Sequence, residues 1–199
     1  YQAGLVKGKT APAAIVPEVK LLFNPELKSV FLFVPGLIAL ILMLVCALMT
    51  SITITREKEL GTMEILLVSP LKPYQIIIGK VIPYLFLSFV IVMTVLGVAR
   101  FVFDMPFKGS FILFIFEAIL YVLTALSLGI FISNIARSQQ VAMMAALAGL
   151  LLPIIILSGF IFPISSMPWP LQVLSNIVPA KWFLIIVKGI MLKGIGIED

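Results

Sequence analysis

From Ser29 to Thr55 the chain runs 27 residues without a formal charge, then sets down four in succession, Arg56-Glu57-Lys58-Glu59. A helix rises 1.5 Å per residue, so about 20 mostly apolar residues cross a hydrocarbon layer about 30 Å thick. A soluble domain has nowhere to bury several runs of this kind. Composition agrees: 62% of the 199 residues are hydrophobic and 12% are charged, against about 25% charged in soluble domains. The chain therefore reads as an all-α, polytopic membrane bundle.

Four spans are predicted, at about 35–54, 81–100, 110–133 and 141–162. Pro35 and Pro83 are placed in first turns, where a missing N–H costs nothing. The uncharged stretch from Ser138 to Ala180 is long enough for two spans, but Pro163, Pro168, Pro170 and Pro179 interrupt its second half. Proline removes backbone hydrogen bonds that lipid cannot replace. Residues 158–187 are thus expected to form broken or re-entrant helices shielded by protein, ending in an amphipathic piece. Trp169 and Trp182 suit an interfacial level. Residues 1–30 are polar and read as the end of a water-exposed domain or linker. The start at Tyr1 without Met suggests a piece of a longer protein.

Several functions are excluded. With no histidine, the chain offers no Ser-His triad, Cys-His dyad or His-ligated zinc, and no catalytic, cofactor or metal residues are assigned. Cys46 lies in an apolar run and reads as a small core residue. The net charge of +5 comes from scattered basic residues, which suits a membrane surface better than nucleic acid. Gly4-Leu-Val-Lys-Gly-Lys-Thr10 imitates a phosphate loop, but it has three residues between its glycines where four are needed, and Pro12 follows. Loops 55–80 and 134–140 carry five Lys/Arg, and so do the opposite segments, so charge alone does not orient the protein. Ala142, Ala145, Ala146 and Gly149 form a small-residue stripe suited to close helix packing, within or between subunits.

The charged run holds the first span's end in water. If residues 57–68 are helical, Leu60, Met63 and Leu67 share one stripe, and Glu57, Gly61 and Glu64 another, about 90° away. Ser69-Pro70 ends the segment, or restarts it as a cap and first turn. A plain turn needs few residues, whereas 55–80 is long and structured, as functional loops are. Two readings stay open: a handle for a partner protein, or an anchor lying in the membrane interface.

The stretch Arg56-Glu57-Lys58-Glu59-Leu60-Gly61-Thr62-Met63-Glu64, then Leu66-Leu67-Val68-Ser69-Pro70 and Gly79-Lys80, resembles the signature of ABC-2 type transporter permeases. Asn24-Pro25-Glu26 with Val34-Pro35-Gly36, Ser138-Gln139-Gln140-Val141-Ala142-Met143, and Ser158-Gly159-Phe160-Ile161-Phe162-Pro163 with Met167-Pro168 resemble three further family stretches, in family order. The resemblance implies that the chain holds spans two to five of six plus extracytoplasmic re-entrant helices, starting near the end of an external domain. It implies that 55–80 is a cytoplasmic coupling region whose helix docks on a separate ABC ATP-binding subunit, where ATP and Mg would bind. Arg56, Glu57, Glu59, Leu60, Gly61, Thr62, Met63 and Glu64 would form that interface. The acids would face polar groups, Leu60 and Met63 would fill an apolar groove, and Gly61 would permit close approach. Arg56 has the alternatives of pairing with Glu59 or with lipid phosphate. Two permeases, identical or paralogous, and two ATPases would make an exporter in the inner or plasma membrane.

Glu117 lies about 10 Å inside its span. It is a possible intramembrane polar site facing a substrate path, or a partner for Arg100 or Lys108. Asp104, Lys108 and Arg100 read as loop charges. The rival functions are an ion-coupled secondary transporter, which would want more mid-membrane ionisable groups, and a structural anchor, which would need no proline-broken region.

Overall fold

The computed structural model describes residues 30–70, 72–104 and 107–194. The segment 1–29, with its loop-like Gly4–Thr10 and Asn24-Pro25-Glu26, lies outside the described residues. All regular structure among them is helical: α1 (Val30–Glu59), α2 (Thr62–Val68), α3 (Pro73–Phe101), α4 (Phe111–Ile135), α5 (Gln139–Ala146), α6 (Leu152–Leu157), α7 (Trp169–Ser175) and α8 (Pro179–Lys188). A π turn, Leu147–Leu151, joins α5 to α6, and another, Gly189–Lys193, extends α8. Four stretches are long and apolar enough to cross a membrane, Phe33–Glu59, Tyr74–Phe101, Phe111–Ile135 and Gln139–Leu157. The chain is a multi-pass membrane protein.

The long helices outrun their predicted spans. α1 begins at Val30 and continues through Glu59, and α3 begins at Pro73. Pro35 and Pro83 therefore lie inside helices, not in first turns. A helix in lipid keeps every backbone bond it can, so it extends past the apolar window until water or a cap takes over. At α3 that cap is Gln75, whose Oε1 accepts from the Lys72 N–H at 2.8 Å. Ser110 and Ser138 cap α4 and α5 by accepting from Leu113 N and Val141 N. The fourth span ends at Leu157, not near 162. Pro153 cannot donate to the carbonyl four residues back, and the π turn just before it absorbs the break.

α1 is the central helix. Half of its apolar window is buried, against 11% for α3, which lines the rim. Its buried residues include Ile38, Leu42 and Cys46, and those of α4 include Phe114, Ala118, Tyr121, Ala125 and Gly129. Their spacing of three and four residues marks one packed face on each helix. The helices meet closely at Gly129, where an added Cβ would lie 2.6 Å from the Ala47 carbonyl oxygen and 3.0 Å from Thr50 Cβ. Two members of the small-residue stripe, Ala142 and Ala146, pack inside, while Ala145 and Gly149 stay exposed.

Beyond Leu157 the chain turns back. α7 and the α8 rod (Pro179–Leu192) meet at 79°, as a broken span or a re-entrant loop does. The Tyr121 ring on α4 stacks on Phe183 with centroids 4.1 Å apart, and its hydroxyl donates to the Ala39 carbonyl at 2.9 Å. This places Phe183 ten residues down α4 from Phe111, about 15 Å into the span. Trp182 is next to it, and its indole N–H donates to the Asn176 carbonyl at 3.0 Å. The Trp182 N–H thereby closes the α7–α8 turn.

Gly129→Leu is expected to wedge α1 from α4 and destabilise the folded protein by about 1–3 kcal/mol. Gly97→Ala, at a glycine with open space around it, should be near neutral. Thermal unfolding in detergent checks both; equal stability of the two variants would contradict the close crossing.

Candidate functional site

The four charges complete α1 instead of opening a surface helix. Successive residues on a helix point about 100° apart, so Glu57, Lys58 and Glu59 fan out to three neighbours. Glu57 pairs with Lys80 on α3. Lys58 Nζ donates to the Ser133 carbonyl in the last turn of α4 at 2.6 Å. Glu59 Oε2 accepts from both the backbone N–H and the side-chain Nε2 of Gln139, at 3.1 and 3.0 Å, in the first turn of α5.

Each contact has a helix-end logic. The last carbonyls of α4 lack intrahelical donors, and the first N–H groups of α5 lack acceptors. A cation therefore belongs at the first place and an anion at the second, where each also complements the helix dipole. One turn further into α1, Thr53 Oγ1 and Tyr84 OH share a hydrogen bond of 2.6 Å, adding a second tie to α3. Three stretches far apart in sequence, 56–59, 79–80 and 138–139, thus meet at one end of the bundle.

The surface helix is shorter than predicted. Leu60 and Gly61 form a turn, Gly61 takes a left-handed φ of 72°, and α2 starts only at Thr62. Nothing lies within 4 Å of a Cβ at Gly61, so glycine serves the backbone conformation here and not a close approach. The turn resets the helical phase, and the stripe counted across it, Leu60-Met63-Leu67, does not hold together. Met63 faces partly inward, whereas Glu64, Ile65 and Val68 are exposed, with Ile65 at 68% and Val68 at 85%. The Leu67 side chain is outside the described residues.

Of the eight residues that the resemblance implied for coupling, Glu57 and Glu59 have partners within the chain, Lys80 and Gln139, and Glu59 is still exposed. Arg56, Leu60, Gly61, Thr62 and Glu64 are exposed. Arg56 makes no ion pair with Glu59, whose carboxylate is held by Gln139. Thr62 Oγ1 donates back to the Glu57 carbonyl at 3.2 Å, fastening α2 to α1. Lys80, Ser133, Gln139, Ile65 and Val68 were not singled out from sequence. Lys80 and Gln139 stood inside the quoted motif stretches, but only the fold shows what they touch.

Glu117 is half-exposed on α4, and among the described residues it pairs with neither Arg100 nor Lys108. Both basic residues are exposed at the end of the bundle, while Glu117 sits about two helical turns below it. No group of three or more His, Cys, Asp or Glu that could hold a metal occurs among the described residues.

The family described as "ABC-2 family transporter protein" matches residues 6–197. The probable multidrug ABC transporter permease YbhS of Escherichia coli is 35% identical over 187 residues, covering 94% of this chain and 50% of that protein. YbhR, of the same description and organism, is 36% identical over 198 residues, covering 100% of this chain and 54% of its own length. The ABC transporter G family member 20 of Dictyostelium discoideum is 29% identical over 175 residues, 88% of this chain and 24% of that protein. The chain thus spans about half the length of the bacterial relatives. No solved structure matches.

A charge-swap cycle tests the fan. Glu57→Lys and Lys80→Glu should each lower thermal stability in detergent, and the double swap should regain part of it, giving a coupling energy of about 0.5–3 kcal/mol. Strictly additive losses would show that the pair does not interact.

Proposed function

The chain belongs to the ABC-2 transporter family, and on that footing we propose that it is part of the permease subunit of an ATP-driven exporter in the inner or plasma membrane. In this reading α2 is the docking element for a separate ABC ATP-binding subunit, and the α2 end of the bundle is cytoplasmic. ATP and Mg belong to that subunit; this chain supplies the lever and part of the path. A second permease, a copy or a paralogue, completes the assembly.

The observation that carries the proposal is the pairing of an exposed patch with a rigid mount. Glu64, Ile65 and Val68 face outward from a helix of seven residues. Exposed apolar side chains beside an acid suit a protein groove with a polar rim. The helix behind them is fastened through Thr62 to α1, and α1 is fastened to α3, α4 and α5. A force applied to α2 reaches four spans at once. Energetically, ATP shifts the bundle only as far as the docked ATPase binds its two conformations unequally.

Replacing Glu64 with Lys and Ile65 with Glu together should reduce ATPase copurification with the full-length protein about tenfold or more, as loss of central interface residues does. Membrane insertion and helix content should be unchanged. Undiminished ATPase recovery would overturn the docking role and favour an α2 that merely lies in the membrane interface.

A further inference from the structure

The turn between α7 and α8 holds a lysine at a depth where lysines are rare. Lys108 N donates to the Met191 carbonyl at 3.2 Å, which pins the far end of the α8 rod to the α3–α4 loop. Ten residues separate Met191 from Lys181, about 15 Å of helix, or about half of a ~30 Å hydrocarbon layer. The Tyr121–Phe183 stack fixes the same depth independently, two residues away. A charge at that level is costly to insert, and such groups are rare outside functional sites.

The side chain does not escape towards the nearer surface. It points back to the turn, as the Cα–Cβ direction in a helix favours, and its Nζ donates to Ser175 Oγ at 3.1 Å and Asn176 Oδ1 at 2.5 Å. The ammonium also lies 5.4 Å from the centroid of the Trp182 ring. These contacts explain how the charge is tolerated, but they leave it uncompensated. No carboxylate pairs with it among the described residues. An ammonium has three donors, and the two contacts use two of them. The exposed Asn176 accepts through Oδ1, while its amide nitrogen makes no hydrogen bond among the described residues. Two free donors thus sit together beside an uncompensated positive charge.

An apolar cavity of about 280 Å³ adjoins them, lined in part by Leu174, Ile177, Val178 and Pro179 of the same turn, and by Met43 and Leu150. Gly149 and Leu150 of the π turn, and Pro153 just after it, line its other side. Its size is at the lower edge of ligand cavities, about 300–1,000 Å³.

We propose that this turn is a cargo subsite for a lipophilic organic anion. A carboxylate head accepts from Lys181 Nζ and Asn176 Nδ2, and a short apolar tail fills the neighbouring cavity. The inference deepens the exporter reading by assigning a cargo class, and it rests on that reading only for the word cargo. The occupant is taken from the bilayer as a free amphiphilic acid, not held as a resident phospholipid.

The test measures binding directly. The full-length protein is placed in phosphatidylcholine nanodiscs and titrated by calorimetry with octanoic acid and with 1-octanol. The acid should bind, and Lys181→Met should weaken it about tenfold or more, as loss of a charge-assisted contact does. Lys181→Arg should keep most of the affinity, and the alcohol should bind both proteins equally. Leu174→Trp, which fills the cavity, should weaken acid and alcohol together. The proposal fails if Lys181→Met binds the acid as tightly as the unaltered protein. It also fails if acid and alcohol lose affinity alike in that variant, since the lysine would then only brace the turn. It fails as a cargo site if added phosphatidylglycerol displaces the acid stoichiometrically, which would mark a phospholipid site. ATPase copurification is scored on the same samples: its absence from the unaltered protein would sink the exporter reading and leave the binding result standing.

Discussion

The geometry of one helix end governs how the bundle is joined. Three consecutive charges on a helix point in three directions about 100° apart, and around α1 those directions are occupied by α3, α4 and α5. Glu57 meets a lysine, Lys58 meets the open carbonyl end of α4, and Glu59 meets the open N–H end of α5. No single contact need be strong: of the three only Glu57–Lys80 is an ion pair, and a partly exposed pair is worth about 0–1 kcal/mol. Their value lies in number and direction. The ends of α3, α4 and α5 on this side of the bundle are tied to the same turn of the same helix, and α2 hangs directly from it.

Much of the architecture was legible in the sequence. Four long apolar runs between charged loops gave four membrane helices, and the prolines from Pro163 onward gave a broken segment. The misses have physical causes. Helix ends were placed where apolar character stops, yet helices in lipid stop where hydrogen bonding stops, so α1 absorbed Arg56–Glu59 and α3 absorbed residues from Pro73. The single surface rod over 57–68 failed because one glycine with positive φ re-phases the chain. Helical arithmetic carried across Gly61 put Met63 on the outer face and missed Ile65 and Val68.

The site was legible as a location and not as a set of contacts. The motif stretches marked the right end of the molecule. Sequence could not tell that the two acids in the last turn of α1 have internal partners, because Lys80 and Gln139 are 23 and 80 residues away. The same holds at the other end. Lys181 reads in sequence as an ordinary basic residue near a tryptophan. Only the stack of Tyr121 on Phe183 and the tie of Lys108 to Met191 reveal its depth.

The charge fan should make α2 and the ends of the spans move as one body. Spin labels at Pro70, just past α2, and Asn134 at the end of α4, both exposed, report this by pulsed distance measurement on the proposed full assembly, nucleotide-free and trapped with ATP and vanadate. An unchanged distance between the labels, while labels on the two proposed permeases shift, is the result the account requires. A relative shift of about one helical turn, ~5 Å, between Pro70 and Asn134 would contradict it.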